Sequence, residues 1–366
     1  MKRRQFIGAL AASAGLAGCA GKEAECGPGG TAGAETFEWS CVTSWPPLFP
    51  GLGMGPENLA RRVEAASAGR LRIKVYGAGE LVPAFEVFDA VSRGTVEMGH
   101  DASYYHKGKV DAAQFFTAIP FGLTNLELNG WLYYGGGLEL WRELYAPFNL
   151  VPFPTGNSGL QMGGWFNKEI NSIDDLKGLK MRIPGLAGEV LRRAGATPVT
   201  LPGSEIFTAL QTGAIDATEW VGPYNDASFG LHKAAKYYYY PGWHEPGSGL
   251  ETIINKQAWE SLPADLQEIV STTCQAITAD MAAEYTHGNA MSLKRLQDDP
   301  NVELRPFPNE VLALLQSLTR DVVAELMASD PASAKIGKAY FDYLELAAEN
   351  SRITEQAYLD MRGRQQ

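Results

Sequence analysis

Residues 179–220 read LKMRIPGLAGEVLRRAGATPVTLPGSEIFTALQTGAIDATEW and alternate between two hydrophobic patterns. Three segments, LKMRIPG, ATPVTLP and AIDATEW, have the composition and alternation of strands. The two segments between them, LAGEVLRRAG and GSEIFTALQTG, space their apolar residues as helices do. Strands that alternate with helices pair in parallel, so the stretch predicts a mostly parallel sheet with helices on both faces.

The same alternation occurs nearer the N-terminus. From residue 37, FEWSCVTSW, LRIKVYG and VEMGHDAS predict strands, and GPENLARRVEAASAG and PAFEVFDAVSRG predict the helices between them. The two series are separated by TNLELNGWLYYGGGLELWRELYAPF, which is largely helical with a break at its three glycines. After Glu251 the pattern is helical apart from a short strand, VELRPF.

Two α/β series followed by helices predict an α/β fold with two lobes and a ligand cleft between them. We expect the first lobe to contain approximately residues 36–158 and 249–306. We expect the second to contain approximately residues 159–248, with a helical C-terminal region at 307–366. The chain of 366 residues is long enough for both lobes.

The N-terminus, MKRRQFIGALAASAGLAGC, places an apolar stretch after basic residues, as export signals do. We expect residues 1–18 to be this signal and residues 19–35, which are rich in glycine, to be a flexible tether. The arginine pair is similar to a twin-arginine signal, and LAGC is similar to a lipobox that would lipidate Cys19. The protein would then be anchored in the periplasm. An uncleaved membrane helix is the alternative, but it needs about 20 apolar residues, more than this stretch contains.

The chain is acidic, with a formal net charge of −11. Loss of Lys2, Arg3 and Arg4 with the signal, and of no acid, takes it to −14. We therefore expect no binding to nucleic acid, because the phosphates would repel such a protein.

Cysteine spacing does not match a zinc site. Cys26 and Cys41 could form a disulfide in an oxidising compartment. Cys274 occupies an apolar helical position, and we interpret it as an inert core thiol.

The sequence contains no familiar catalytic motif. The patterns G-x-S-x-G, H-E-x-x-H, the P-loop and a G-x-G-x-x-G after a strand are all absent. The histidines have no metal-ligand spacing, although residues distant in sequence can converge. We interpret each as a surface or hydrogen-bonded residue; they are His100, His106, His232, His244 and His287.

Arg182 lies at the end of a predicted strand. In LKMRIPG, Leu179, Met181 and Ile183 alternate with Lys180 and Arg182, so a strand that buries the first set points the second set away. The carboxyl ends of such strands are where ligand sites gather in open α/β sheets. The guanidinium can hold a carboxylate through two hydrogen bonds, and the alternative is a surface arginine that pairs with a nearby acid.

Glu219 continues an apolar row, because AIDATEW places Ile215, Ala217 and Glu219 on one face of a strand. A buried carboxylate must be paired, metal-bound or protonated. A salt bridge to an unidentified partner and a ligand site both stay open at this point. Trp220, which follows, is either a core residue or the wall of a pocket that also offers its backbone carbonyl.

Gln161 in NSGLQMGGW and Glu245 in PGWHEPGSG are polar residues among aromatic residues and glycines, a mixture that is common in loops.

The chain closely resembles the solute-binding proteins of tripartite ATP-independent periplasmic (TRAP) transporters in three motifs: SIDDLKGLKMRIPG, GSEIFTALQTGAIDATEW and GAGELVPAFEVFDAVSRGTVEMGH. The resemblance extends from about residue 37 into the C-terminal region. SYYHKGK, LQMGGWFN, TEWVGPYND and GWHEPGSGLE resemble the subgroup that binds α-keto acids and related 2-oxo or 2-hydroxy carboxylates.

The resemblance implies a two-lobed fold like that of periplasmic binding proteins, which closes over its ligand and delivers it to a membrane permease. It implies that Arg182 pairs with the carboxylate of the substrate. The other implied substrate contacts are Gln161, Trp220, Glu245 and one of Tyr104 and Tyr105. The implied cation ligands are Gln161, Glu219, the carbonyl of Trp220, and Glu245.

Oxygen ligands favour sodium or calcium over a soft transition metal, and the second acid, Glu245, favours a divalent ion. His106 stands where an aromatic residue is expected after SYY, and could tune the pocket or add pH sensitivity. Two other functions stay open: an exported ligand sensor, and an exported enzyme that uses Glu219 or Glu245 as acid or base. The helical tail from Pro308 could pack on its own lobes or on a second copy in a homodimer.

Overall fold

The two strand–helix series form two separate sheets in a computed structural model that describes residues 35–363. The strands are β1 (Phe37–Thr43), β2 (Leu71–Tyr76), β3 (Met98–Asp101), β4 (Leu150–Asn157), β5 (Gly164–Phe166), β6 (Lys180–Arg182), β7 (Thr197–Val199), β8 (Ala217–Thr218), β9 (Tyr237–Tyr240), β10 (Gly249–Asn255) and β11 (Glu303–Pro306). The helices are α1 (Met54–Ala66), α2 (Val87–Ser92), α3 (Asn125–Tyr134), α4 (Gly137–Tyr145), α5 (Gly185–Arg193), α6 (Gly203–Gln211), α7 (Pro223–Phe229), α8 (Lys256–Ser261), α9 (Ala264–Gln297), α10 (Asn309–Ser329), α11 (Pro331–Ser351) and α12 (Ala357–Gly363). The predicted export signal, Cys19, Cys26 and the tether up to residue 34 lie outside the described residues.

The first sheet has the strand order β2-β1-β3-β10-β4, and the second has the order β11-β9-β5-β8-β6-β7. Strands joined by a helix are parallel in both, as β1 with β2 and β6 with β7 show. The predicted parallel pairing is confirmed within each strand–helix series, but each sheet as a whole is mixed, because β10 runs antiparallel to β3 and β4, and β5 runs antiparallel to β8 and β9. These strands arrive from outside a strand–helix–strand unit, so no helical crossover forces them to be parallel.

The predicted two-lobed α/β architecture with a helical C-terminal region is confirmed, with one sheet at the centre of each lobe. One predicted boundary differs. Residues 303–306, assigned to the first lobe, form β11, which pairs in parallel with β9 at the edge of the second sheet. The chain reaches this edge because α9, 34 residues long, carries it from one lobe to the other.

Helix α9 contacts both lobes. The hydroxyl of Thr278 donates to the carbonyl of Pro154 in β4 at 3.2 Å. About two turns further along the helix, at 3.6 residues per turn, the hydroxyl of Tyr285 donates to Oδ1 of Asn225 in α7 at 2.7 Å. Cys274 on the same helix is 1% exposed, which agrees with the predicted core thiol.

The C-terminal helices pack on both lobes. Nη1 of Arg193 in α5 donates to Glu325 in α10 at 2.8 Å. The hydroxyl of Tyr340 in α11 accepts from the backbone N–H of Leu123, just before α3, at 2.8 Å. None of the helices in the described part of the chain has a stretch long and apolar enough to cross a membrane.

Candidate functional site

Arg182 ends β6 and is buried, with 1% of its surface exposed. The alternative of a surface arginine is wrong. Lys180 on the same strand face is exposed as expected, but Trp220 covers Arg182, with its ring centroid 5.2 Å from Cζ of the guanidinium. Burial opposes the charged guanidinium and the Glu219 charge favours it, with the net effect of raising the pKa of Arg182.

Glu219 directly follows β8 and is 1% exposed. Its partner, which the sequence leaves unidentified, is Arg182: Nη1 donates to Oε1 of the carboxylate and, at 3.3 Å, to the backbone carbonyl of Glu219. The second carboxylate oxygen, Oε2, has no hydrogen-bond partner among residues 35–363. The side-chain salt bridge and the candidate ligand site therefore involve the same carboxylate.

The guanidinium is only partly paired. Its Nε donates to the carbonyl of Leu201 at 3.1 Å, while Nη2 is buried without a partner in the described part of the chain. A charged nitrogen in that state is costly unless a ligand pairs with it. Arg182 therefore has one buried donor nitrogen that no described residue accepts from.

Gln161 and Glu245 meet beside this pair. Nε2 of Gln161 donates to Oε2 of Glu245 at 2.8 Å and to the hydroxyl of Ser158 at 3.0 Å. This leaves Oε1 of Gln161 as a buried acceptor without a partner among the described residues. Burial and then the charge of Glu219 raise the pKa of Glu245 to about 7.

Tyr104 and Tyr105 come from the first lobe, in a short 3₁₀ turn after β3. Both line a cavity of about 570 Å³ whose other walls include Pro184 and Gly185 of the second lobe. Burial raises the pKa of Tyr104 well above its ordinary value and that of Tyr105 to about 12, so both hydroxyls keep their protons. Gly185 has φ of +65°, and a Cβ placed there would be 3.5 Å from the Tyr104 side chain.

Two of the predicted cation ligands offer oxygens that an ion could take. Glu219 Oε2 and Gln161 Oε1 are buried oxygens without partners in the region that the structure covers. Hard cations such as sodium and calcium take carboxylate, amide and backbone oxygens. The side chains therefore fit such an ion, with Glu245, whose carboxylate lies within 4.8 Å of that of Glu219, as a further oxygen donor.

His244 is a site residue that the sequence interpretation missed. The sequence pattern predicts a surface or hydrogen-bonded histidine, but His244 is 1% exposed and its Nε2 is 3.5 Å from Oε2 of Glu219. Glu219, His244 and Glu245 each bring a ligand atom within 4.8 Å of the others. The only available signal was its position next to Glu245 in the loop PGWHEPGSG.

A second buried cluster lies next to the tyrosines. Nε2 of His106 is 2.8 Å from Oε1 of Glu251 and 3.6 Å from Oδ2 of Asp101. The hydroxyl of Tyr145 donates to Oε2 of Glu251 at 3.0 Å, and that of Ser44 donates to Oδ1 of Asp101 at 2.7 Å. Burial lowers the pKa of His106 to about 4. His106 is therefore a partner of buried acids, and the cavity lining comes from the tyrosines before it.

Comparison with known proteins places the chain in a family. The family model described as bacterial extracellular solute-binding protein, family 7 (DctP), matches residues 42–330. A monocarboxylate 2-oxoacid-binding periplasmic protein of Nostoc sp. is 44% identical over 327 residues, 89% of each chain. The crystal structure of a TRAP periplasmic solute-binding protein from Pseudoalteromonas atlantica, with bound sodium and pyruvate, is 45% identical with a TM-score of 0.87, over 89% of this chain and 99% of that one. A second, from Colwellia psychrerythraea with bound calcium and pyruvate, is 44% identical with the same TM-score and coverage. The resemblance seen in the motifs is confirmed, and the chain belongs to the DctP family of solute-binding proteins of TRAP transporters.

Proposed function

We propose that the protein binds a small 2-oxo or 2-hydroxy monocarboxylate, of the pyruvate, lactate or longer α-keto acid type, together with a sodium or calcium ion. It delivers this acid to the membrane permease of a TRAP transporter. The observation that carries the proposal is the buried Arg182, which has a donor nitrogen to spare beside unpaired oxygens of Glu219 and Gln161. The ligands in the two crystal structures, pyruvate with sodium and pyruvate with calcium, support it.

Each group has a distinct part in binding. Arg182 holds the carboxylate of the acid, because a guanidinium is the strongest partner for that group in a dry site. Glu219, Gln161, Glu245 and the carbonyl of Trp220 hold the cation, which supplies a second positive charge for the acid's oxygens. The tyrosines of the first lobe hydrogen-bond to the same acid, so that the closed form gains contacts that the open form lacks.

Isothermal titration calorimetry tests the proposal. Protein freed of metal by a chelator is titrated with pyruvate, lactate and longer 2-oxo acids in buffers that contain sodium, calcium or neither. We expect one acid per chain to bind, with affinity that depends on the cation. No binding of any of these acids with either cation would contradict the proposed substrate class.

The replacement Glu219→Gln tests the cation site. Removing the charge should abolish the cation dependence of acid binding, because the hard cation loses its charged ligand. Glu205→Gln, a change at an exposed glutamate of the neighbouring α6, is the matched control and should leave that dependence intact. A Glu219→Gln variant that still needs the cation would mean that the ion is bound elsewhere.

We propose that binding occurs without chemical turnover, and that the partner is a permease and not a signalling protein. After prolonged incubation with the protein, the NMR spectrum of pyruvate should be unchanged. Uptake of labelled pyruvate by cells should require both this protein and a TRAP permease. Pyruvate consumption, or uptake that does not depend on the protein, would favour the enzyme or the sensor.

We propose export to the periplasm through residues 1–18, with lipid attached at Cys19. Labelled palmitate should be incorporated into the wild-type protein but not into a Cys19→Ser variant.

We also propose a homodimer, since the C-terminal helices expose the large apolar side chains of Leu346, Ile353 and Met361. Sedimentation equilibrium should give twice the chain mass, and Ile353→Lys should reduce it to one. A monomeric wild type would contradict the dimer.

A further inference from the structure

His244 is a buried histidine whose ring pairs with none of the described residues. Only 1% of the residue is exposed, and neither Nδ1 nor Nε2 has a hydrogen-bond partner among residues 35–363. A neutral imidazole carries one N–H donor and one acceptor nitrogen, and leaving both unpaired away from water is costly. Such a side chain at a binding site indicates a contact that forms with the ligand.

The His244 ring and the Arg182 guanidinium approach different oxygens of the Glu219 carboxylate. Oε1 of Glu219 pairs with Arg182, while Oε2 of the same carboxylate is 3.5 Å from Nε2 of His244. The loop between β9 and β10 holds the ring there, and Glu245, the next residue, is tied to Gln161. Arg182 and His244 therefore each face one oxygen of the same carboxylate.

Two other roles for the ring fit the geometry and chemistry less well. A hydrogen bond from His244 to Glu219 at 3.5 Å is longer than the usual range of about 2.7–3.2 Å. A ligand role is also disfavoured, because sodium and calcium choose oxygen and imidazole suits zinc, copper and nickel. An oxygen of the bound acid is the remaining partner for the ring N–H.

The position of Arg182 indicates which atom of the acid His244 would contact. With the carboxylate at Arg182, the next polar atom along a 2-oxo or 2-hydroxy acid is the oxygen on carbon 2. His244 lies within reach of an oxygen in that place, because its Nε2 is 3.5 Å from Oε2 of the same Glu219 carboxylate that pairs with Arg182. We propose that His244 is a substrate-binding residue whose ring N–H donates a hydrogen bond to the 2-oxygen, which selects 2-oxo and 2-hydroxy acids over unsubstituted ones; this inference rests on the proposed function.

The test compares pyruvate with propionate, which lacks the 2-oxygen. Calorimetry measures the affinity of both acids at saturating calcium for the wild type, His244→Leu and His244→Gln. A second titration measures calcium without any acid. His287→Gln, a change at an exposed histidine of α9, is the control.

We expect His244→Leu to weaken pyruvate binding by about tenfold or more, the value of one lost hydrogen bond. Propionate and calcium affinity should stay within about twofold of the wild type. His244→Gln keeps an N–H donor and should recover part of the pyruvate affinity. The control should match the wild type in every titration.

Several results would overturn the proposal. An equal loss for both acids, or a loss of calcium affinity without acid, would place His244 with the ion or with Glu219. An unchanged pyruvate affinity would give it no part in binding. A wild type that binds no 2-oxo acid would instead overturn the proposed function, and the role of His244 with it.

A measurement on the wild-type protein tests the same hydrogen bond even if a His244 variant does not fold. The ¹⁵N resonances of the His244 ring, assigned by comparison with His244→Gln or with the other histidine variants, are followed in calcium-loaded protein. Adding pyruvate should shift them strongly, and adding propionate should shift them little. Identical responses to the two acids would contradict a hydrogen bond to the 2-oxygen.

Discussion

Arg182 and Glu219 are each other's partner in the structure and also the groups proposed to take the acid and the cation. The pair is nearly fully buried, so the attraction between the charges offsets two desolvation costs. A cation on Glu219 would compete with Arg182 for that carboxylate and release the guanidinium for the acid. A bound cation therefore frees Arg182 for the acid, and a bound acid frees Glu219 for the cation. This predicts that the cation and the acid bind with positive cooperativity.

The replacement Arg182→Ala should weaken pyruvate binding by at least about 2 kcal/mol, because a desolvated carboxylate loses its charged partner. It should also lower the free energy of unfolding by about 3 kcal/mol in calcium-free protein, since Glu219 is left buried and unpaired. Calorimetry and urea denaturation measure the two effects. Arg192→Ala, at an exposed arginine of α5, is the control and should change neither quantity. A loss of stability in Arg182→Ala with unchanged pyruvate affinity would leave Arg182 a structural role alone.

The buried acid Glu251 makes stability depend on pH. Burial raises its pKa from 4.5 to about 8, so the folded protein keeps a proton that the unfolded chain releases. This contribution to stability is therefore present in acid and is lost as the pH rises from about 4.5 to about 8. His106 acts in the opposite direction below about pH 6.5, because its folded pKa is lowered to about 4.

We expect Glu251→Gln to remove the loss of stability that accompanies ionisation of Glu251 as the pH rises. The free energy of unfolding of the variant, relative to the wild type, should rise by at least about 1 kcal/mol between pH 5 and pH 8. Urea denaturation at both pH values measures this difference, with the exposed Glu310→Gln as the control. A difference that stays constant with pH would mean that Glu251 is ionised in the folded protein throughout.

The early end of strand β8 also determines the shape of the site. AIDATEW predicts a strand as far as Trp220, but β8 pairs only through Ala217 and Thr218. Glu219 then leaves the sheet, and its carbonyl accepts from the Thr218 hydroxyl at 2.8 Å and from Arg182. The short strand therefore turns Glu219 and Trp220 into the site instead of extending the ladder.

Helix α11 depends on a local cap. Oδ1 of Asp330 accepts from the backbone N–H groups of Ala332 and Ser333 at 2.8 and 2.9 Å, and Pro331 begins the helix. Asp330→Ala should lower the free energy of unfolding by about 1 kcal/mol, the usual value of an N-cap, while Asp330→Asn should cost less. Urea denaturation measures both, and an equal loss in the two variants would point to the charge of Asp330 and not to its cap.

At the scale of the whole molecule, α9 and the C-terminal helices join two sheets while the site lies between them. The carboxylate of Glu284 in α9 accepts from the N–H of Gly51 in the first lobe at 3.1 Å and from the hydroxyl of Tyr224 in the second at 3.1 Å. Glu284 therefore links the two lobes through one carboxylate. Closure over a ligand needs only contacts that differ between the open and closed forms.

Calcium and pyruvate together should stabilise the protein and make it more compact. At ligand concentrations of about 100 times the dissociation constant, binding to the folded state alone adds about 2.7 kcal/mol. Thermal denaturation should show a higher midpoint, and small-angle scattering a smaller radius of gyration. Propionate at the same concentration serves as the control, and an unchanged midpoint and radius with pyruvate would contradict ligand-driven closure.

Local patterns accounted for most of the elements. The alternation of apolar residues predicted β1, β2, β6 and β7 and the helices between them, since a strand or helix depends on near neighbours in the chain. It could not predict that β10 and β5 run antiparallel, or that β11 joins the second sheet. Those pairings depend on where α9 and the crossing segments return the chain.

The sequence by itself determined the two α/β series, the polar residues at the strand ends and, through its motifs, the family. Only the tertiary structure decided which side chains meet. Arg182 and Glu219 are 37 residues apart, and Gln161 and Glu245 are 84 apart, so no periodicity links them. The burial of His244 depends in the same way on the packing of distant segments. The local sequence around a loop histidine is the same whether water or protein surrounds the ring.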